Sequence, residues 1–248
     1  QKMPIPSQSE TSRHEIWKMF DKISQKYDFL NHLLTLGLDV YWRNQLIKHL
    51  PQAKNLNLID LATGTGDQLI AIIKKAKQVV SGLGIDLSLE MIRLGQKKII
   101  DKPYGHQITL TEGNATDISL EDESVDCVTM SFGIRNVESV DKCLKECHRI
   151  LTPGGKILIL ELTVPKNRFI RPFVLFYIRF ILPLIGGIVS KERQAYIYLN
   201  KTIETFPSGD HFCKILKKHD FFQVKAFPLS FGIVNLYTGE KLSCGEEL

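Results

Sequence analysis

The chain holds 248 residues, enough for one large domain, and its 44% hydrophobic and 24% charged residues with 17 Gly and 10 Pro exclude collagen-like, low-complexity and disordered chains. A net charge of +5 without a block of like charges announces no nucleic-acid grip, while weak attraction to anionic lipid stays open. Five cysteines (Cys127, Cys143, Cys147, Cys213, Cys244), an odd number with no C-x-x-C pair, argue against a disulfide framework or zinc site and for a reducing, cytoplasmic compartment.

Residues 1–13 are polar, and the first 20 contain no apolar h-region, so no secretory signal is expected there. Ile16, Met19, Phe20, Ile23 and Tyr27 then fall at offsets of 0, 3, 4, 7 and 11, which lays one apolar stripe along a helix. A second periodic stretch runs through Tyr41, Trp42 and Arg43 to Leu50 and closes at Pro51, so residues 1–50 predict a helical cap. From Leu56 onward, short apolar runs alternate with periodic helical stretches, the pattern of β and α units on a parallel sheet. Strands are predicted at 56–61, 79–85, 108–110, 125–130 and 157–162, with helices at 68–77, 89–100 and 139–151. Pro153, Gly154 and Gly155 stop the last of these helices, and runs at 223–227 and 233–237 suggest an antiparallel edge. The fold class is therefore α/β, a doubly wound, mostly parallel sheet read as one domain over 1–248.

The segment from Asp60 to Asp67 reads D-L-A-T-G-T-G-D directly after a strand, where Gly64 and Gly66 permit a tight turn and close approach of a ligand. A dinucleotide fingerprint would place a third glycine where Leu69 stands. What remains is an acid-x-x-x-Gly-x-Gly loop followed 20 residues after Gly66 by Asp86, an acid at a strand end that can accept both hydroxyls of a ribose. The plainer readings are a helix-capping Asp86 and a bare turn at the glycines. This combination resembles the cofactor loop of class I S-adenosylmethionine-dependent methyltransferases, which implies a Rossmann-like sheet.

A narrower resemblance rests on Ser131-Phe132-Gly133-Ile134-Arg135-Asn136-Val137, on Tyr27-Asp28-x-x-Asn31, and on Leu36-Gly37-Leu38-Asp39-x-x-Trp42-Arg43. These stretches resemble the signatures of the ubiquinone and menaquinone biosynthesis C-methyltransferases of the UbiE/MenG type, and the likeness covers the chain from about residue 15 to residue 241. Thr63 and the looser segment after Thr116 depart from the family pattern. The resemblance implies a seven-stranded sheet with a cap at 1–50, a cofactor-binding core at 51–165, a hydrophobic helical insertion at 166–205, and a C-terminal helix and strands at 206–248. By residue-by-residue analogy it assigns Thr65, Asp86, Asn114, Ala115 and Ser131, with Gly64 and Gly66 shaping the loop, to S-adenosylmethionine. Asn114 also reads as an ordinary turn residue.

The implied reaction is C-methylation of a reduced polyprenyl quinone precursor, demethylmenaquinol in the first instance. 2-Methoxy-6-polyprenyl-1,4-benzoquinol and a non-catalytic partner role in a quinone-synthesis assembly are the alternatives. Arg135 and Asn136 lie just beyond the strand facing the transferred methyl, where they could bind the quinol oxygens and stabilise phenolate charge. Arg is too weak an acid to serve as an ordinary base, and the competing reading of Arg135 is a structural ion pair. Tyr27 and Asp28 on the cap are further catalytic candidates, with a core aromatic as the plain reading of Tyr27. Seven histidines form no ligand-like pattern, and Cys143 and Cys147 fall on an apolar helix face, so no metal is expected.

Residues 169–189 read FIRPFVLFYIRFILPLIGGIV, close to bilayer-spanning length. Arg171, Arg179, Pro172 and Pro183 argue against a span. The remaining readings are a hydrophobic cover touching the membrane surface, its arginines near headgroups, and a packing insertion or dimer contact. The expected protein is cytoplasmic, peripheral at the inner membrane face in the first of these readings. A homo-oligomer stays open, and no nucleic-acid partner is expected.

Overall fold

Apolar residues in these strands alternate between two faces, and that alternation divides the core of the computed structural model into two layers. It describes residues 16–190 and 193–243; the polar start at 1–13 and Cys244 lie outside the described residues. In β1 (Leu56–Leu61), Leu58 packs on one face and Ile59 on the other; β5 (Leu151–Leu162) repeats this, with Leu158 and Leu160 opposite Ile157 and Ile159. The first face is covered by α2 (Leu38–Ile47), α3 (Asp67–Lys75) and α4 (Leu89–Ile99) through Trp42, Leu69, Ile72 and Ile92. The second is covered by α5 (Val140–Ile150), whose Cys143, Leu144, Cys147 and Ile150 are fully buried, and by α8 (Asp210–Lys218) through Phe212 and Leu216. Both α5 cysteines thus pack as small hydrophobes, as their spacing predicts.

The remaining strands are β2 (Val79–Asp86), β3 (Ile108–Glu112), β4 (Val125–Ser131), β6 (Phe221–Leu229) and β7 (Val234–Lys241). They form one seven-stranded sheet in the order β3-β2-β1-β4-β5-β7-β6. Pairing is parallel from β3 to β5, while β7 pairs antiparallel with both β5 and β6. The expected antiparallel edge is formed by β6 and β7, with β7 slotted between β5 and β6. Strand order reverses between β1 and β4, so a crevice opens beyond their carboxyl ends, where open α/β sheets bind ligands.

Three further helices close this crevice: α1 (Ile16–Leu34), α6 (Arg171–Ser190) and α7 (Arg193–Thr205). Leu30 and Leu34 of α1 pack with Ile178 and Leu182 of α6 and Ala195, Tyr196 and Ile203 of α7 in a third, separate cluster. Helix α6 accommodates both of its prolines. Pro172 sits in the first turn, where its missing N–H costs nothing, and a π turn over Tyr177–Ile181 widens the helix ahead of Pro183. The result is a continuous helix of 20 residues whose most apolar 18-residue stretch has a mean hydropathy of 2.1, long and apolar enough to cross a membrane by length and composition. Arg179 does not stand free for a headgroup: it pairs in bidentate fashion with Glu204 of α7.

Candidate active site

At the end of β1 the chain enters a tight loop in which Ala62, Gly64 and Gly66 all adopt left-handed backbone angles (φ 49°, 57° and 81°), strained for Ala62 and free for the glycines. A carboxylate props the loop from below. Asp60, 1% exposed, accepts hydrogen bonds from the Thr63 and Thr129 hydroxyls, both at 2.6 Å, and burial pushes its pKa up to about 6. A second acid holds the loop from the side: Asp86 Oδ2 accepts the Gly64 N–H and Oδ1 the Ser88 N–H, each at 2.8 Å. Burial raises the Asp86 pKa, and the bonds from Ser88 and Gly64 oppose the shift. Each Asp86 oxygen carries one backbone donor and keeps acceptor capacity for another, which fits two vicinal ribose hydroxyls.

The other sequence-assigned cofactor residues fall around the same crevice. Asn114 accepts the Thr116 N–H and hydroxyl through Oδ1, the turn geometry of its plainer reading, and its amide nitrogen keeps donor capacity. Ala115 is buried in the core layer. Ser131 at the end of β4 donates to Gln68 Oε1 at 3.0 Å. Thr65 is 2% exposed, and its hydroxyl donates to Asp28 while accepting from Lys98 Nζ, both at 2.7 Å.

That last contact relocates Asp28. Lys98 also pairs with Asp28 and Asp67, at 2.5 and 2.7 Å, so Asp28 clamps α1 onto the glycine loop and α4. It stands against the glycine loop, away from the cavity that its neighbours line.

That cavity has an empty volume of about 720 Å³ with the open solvent at its mouth included, and its walls are mostly apolar. Tyr27, Leu30 and Asn31 line it from α1, Asp39, Trp42 and Arg43 from α2, and Ala195, Tyr196, Tyr198 and Leu199 from α7. Phe132, Arg135 and Asn136 close it from the loop after β4. Tyr27 separates it from the glycine loop, since a Cβ placed on Gly64 would lie 3.8 Å from Tyr27 Cε1. Burial raises the Tyr27 hydroxyl's pKa, against its bond with Asn31 and the charges of Arg43 and Arg135.

Arg135 takes the structural position named for it as its plainer reading. It is 5% exposed, and its Nη1 pairs with Glu161, which is completely buried, and donates to the Phe132 carbonyl at 2.7 Å. Burial keeps the Glu161 carboxyl above the usual range, with Arg135 pulling the other way. Its charge is therefore already balanced inside the protein. Among the buried atoms of the cavity wall with no hydrogen-bond partner among the described residues are Arg135 Nε, Asn136 Oδ1 and Arg43 Nε. Buried polar atoms are rarely left unpaired unless a ligand or water completes them.

Glu161 and Lys98 escaped the sequence reading, and Arg43 entered it only as part of a signature. For Glu161 the signal is present: a lone acid inside the apolar run of 157–162 demands a buried cation.

Comparison with known proteins gives a consistent result. The model of the ubiE/COQ5 methyltransferase family matches residues 8–241. A Geotalea daltonii protein named ubiquinone/menaquinone biosynthesis C-methyltransferase UbiE is 40% identical over 92% of this chain and 96% of its own. A Bacteroides fragilis demethylmenaquinone methyltransferase is 37% identical over 92% of each chain. Among solved structures, a Thermotoga maritima SAM-dependent methyltransferase superimposes with a TM-score of 0.62 at 18% identity, covering 91% of this chain and 99% of its own, a likeness of fold.

Proposed function

This chain belongs to the ubiE/COQ5 methyltransferase family, and we propose that it methylates a ring carbon of a reduced polyprenyl quinone precursor, demethylmenaquinol in the first instance, at the expense of S-adenosylmethionine. The observation that carries the site assignment is the apolar cavity with unpaired polar atoms in its wall, one side chain away from a glycine loop flanked by a ribose-accepting acid. S-adenosylmethionine, when bound, supplies a methyl group already activated by its sulfonium centre. The protein's own tasks are alignment, exclusion of water and care of one proton.

Asp86 accepts the ribose hydroxyls, and Gly64 and Gly66 let the backbone approach the methionine moiety. Ser131 and Asn114 flank the same end of the sheet. On the acceptor side, Leu30, Trp42, Phe132 and Leu199 enclose the quinol ring and keep water from it, and Asn136 Oδ1 accepts one of its hydroxyls. Arg135, locked to Glu161, fixes the loop that carries Asn136, so its part is to position rather than to take a proton.

A polyprenyl acceptor resides in lipid, and the exposed face of α6 suits a protein lying on a membrane surface. Phe173, Phe176, Phe180, Leu184 and Ile188 recur at helical spacing and are 57–77% exposed, and only 22% of the apolar window is buried within the protein. Co-sedimentation with anionic lipid vesicles, lost in F176S/F180S, is the expected result; equal retention of both proteins would remove this contact.

The function is tested by methyl transfer from labelled S-adenosylmethionine to chemically reduced demethylmenaquinone and, separately, to the methoxy-polyprenyl benzoquinol, with mass detection of the product. Turnover of the first is expected. Cofactor binding without turnover of either would move the reaction to another acceptor.

A further inference from the structure

Two guanidinium groups face the acceptor cavity, and only one of them is balanced. Arg135 has Glu161. Arg43 is half-buried on α2, its guanidinium carbon 5.4 Å from the Phe132 ring centroid, and its Nε is buried without a hydrogen-bond partner among the described residues. It takes part in no ion pair of the described residues. The carboxylate among the residues lining the cavity, Asp39, is already held by His32 at 2.6 Å and by the Thr35 hydroxyl at 2.9 Å. A cation in apolar surroundings with no paired counter-charge is costly, and an anion brought into the cavity would relieve that cost.

We propose that Arg43 receives the ionised oxygen of the acceptor, a phenol-type hydroxyl that gives up its proton on binding. The O–H bond breaks, its proton passes to solvent water through the cavity mouth, and its electron pair stays on oxygen beside the guanidinium. Delocalisation of that pair into the ring makes the neighbouring carbon nucleophilic, and no side-chain base is needed. This rests on the reading of the cavity as the acceptor site. It differs from the sequence-based expectation by moving the phenolate partner from Arg135 to Arg43.

The groups facing Arg43 are consistent with an anion binding there. Tyr27 of α1 and Tyr196 of α7 offer neutral hydroxyls. Asp39 is shared with His32, Glu161 is spent on Arg135, and Asp60, held beneath the loop by two hydroxyl donors, feels the Arg43 charge without pairing with it.

A coloured phenol tests this without catalysis. 4-Nitro-1-naphthol, whose ionised form absorbs in the visible, is titrated with pH on the full chain. Bound to the wild-type protein it should ionise about one to two pH units lower than in water, the usual effect of an adjacent Arg. R43M should abolish the shift and R43K should retain part of it, with S-adenosylmethionine affinity by calorimetry unchanged. An unshifted probe on the wild-type protein, or an equal shift in R43M, overturns the role of Arg43. The wild-type result alone decides if R43M does not fold. Methyl transfer with an unshifted probe leaves the proposed function standing and removes only this inference. A probe that does not bind, together with absent transfer, removes both.

Discussion

The glycine loop and the acceptor cavity sit on either side of Tyr27, and they treat their buried polar groups in opposite ways. Under the loop every acid is engaged: Asp60 by two threonine hydroxyls, Asp86 by two backbone N–H groups, Asp28 by Thr65 and Lys98. Across Tyr27, Arg43 Nε, Arg135 Nε and Asn136 Oδ1 are buried and unpaired. The difference teaches where each ligand is expected to contribute. The loop is complete in itself and adds a cofactor to groups with acceptor capacity to spare, whereas the cavity is electrostatically incomplete until an acceptor arrives.

The comparison breaks most sharply at Arg135, the one cavity cation that has been completed internally. E161Q leaves that guanidinium buried without its counter-charge, and loss of one partner of a buried pair costs about 3–5 kcal/mol. Urea denaturation should register a loss of that size; an unchanged midpoint would show that the pair carries no weight. For the same reason R135A is a poor probe of catalysis, because it strands Glu161.

On the loop side, Asp60 makes a pH-dependent prediction. Its pKa of about 6 in the folded protein, raised from an ordinary 3.8 by burial, means that the folded state holds the proton more tightly than the unfolded chain. Stability present below about pH 4 is therefore lost as pH rises through about 6, by roughly 3 kcal/mol from this group. Asp86 and Glu161, also raised by burial, add slope of the same sign. D60N should flatten the fall in melting temperature between pH 4 and 7 without abolishing it, and an unchanged slope would contradict the assignment. A smaller effect is expected from D86A, which removes hydrogen bonds to a charged acceptor worth about 1.5–3 kcal/mol. Calorimetry should show cofactor affinity weakened by roughly ten- to a hundredfold with the fold retained; unchanged affinity would free Asp86 from the ribose.

The parallel half of the sheet was readable because its information is local. The short apolar runs at 56–61 and 157–162, and the capping serines Ser88 and Ser139 ahead of α4 and α5, each act within a few residues. The placement of β7 between β5 and β6 was not, since nothing local distinguishes a strand that inserts from one that adds at the edge. How α6 carries Pro183 and Arg179 was not legible, because a π turn precedes the proline and Glu204 neutralises the arginine from another helix. Of the site, Asp86 and the glycines were legible from spacing. The pairing of Arg135 with Glu161 spans 26 positions, and the clamp of Asp28 on Thr65 spans 37, so both become visible only when the helices are packed on the sheet.

The central claim is that the acceptor ring occupies the cavity between α1, α2 and α7 while the cofactor occupies the loop. The most direct test is L199W, which fills the cavity from α7 and leaves the loop untouched. The account predicts S-adenosylmethionine affinity equal to wild type, with kcat/KM for the reduced quinone lower by about tenfold or more, equivalent to about 1.4 kcal/mol of transition-state binding. Undiminished methyl transfer in L199W would place the acceptor elsewhere and contradict it.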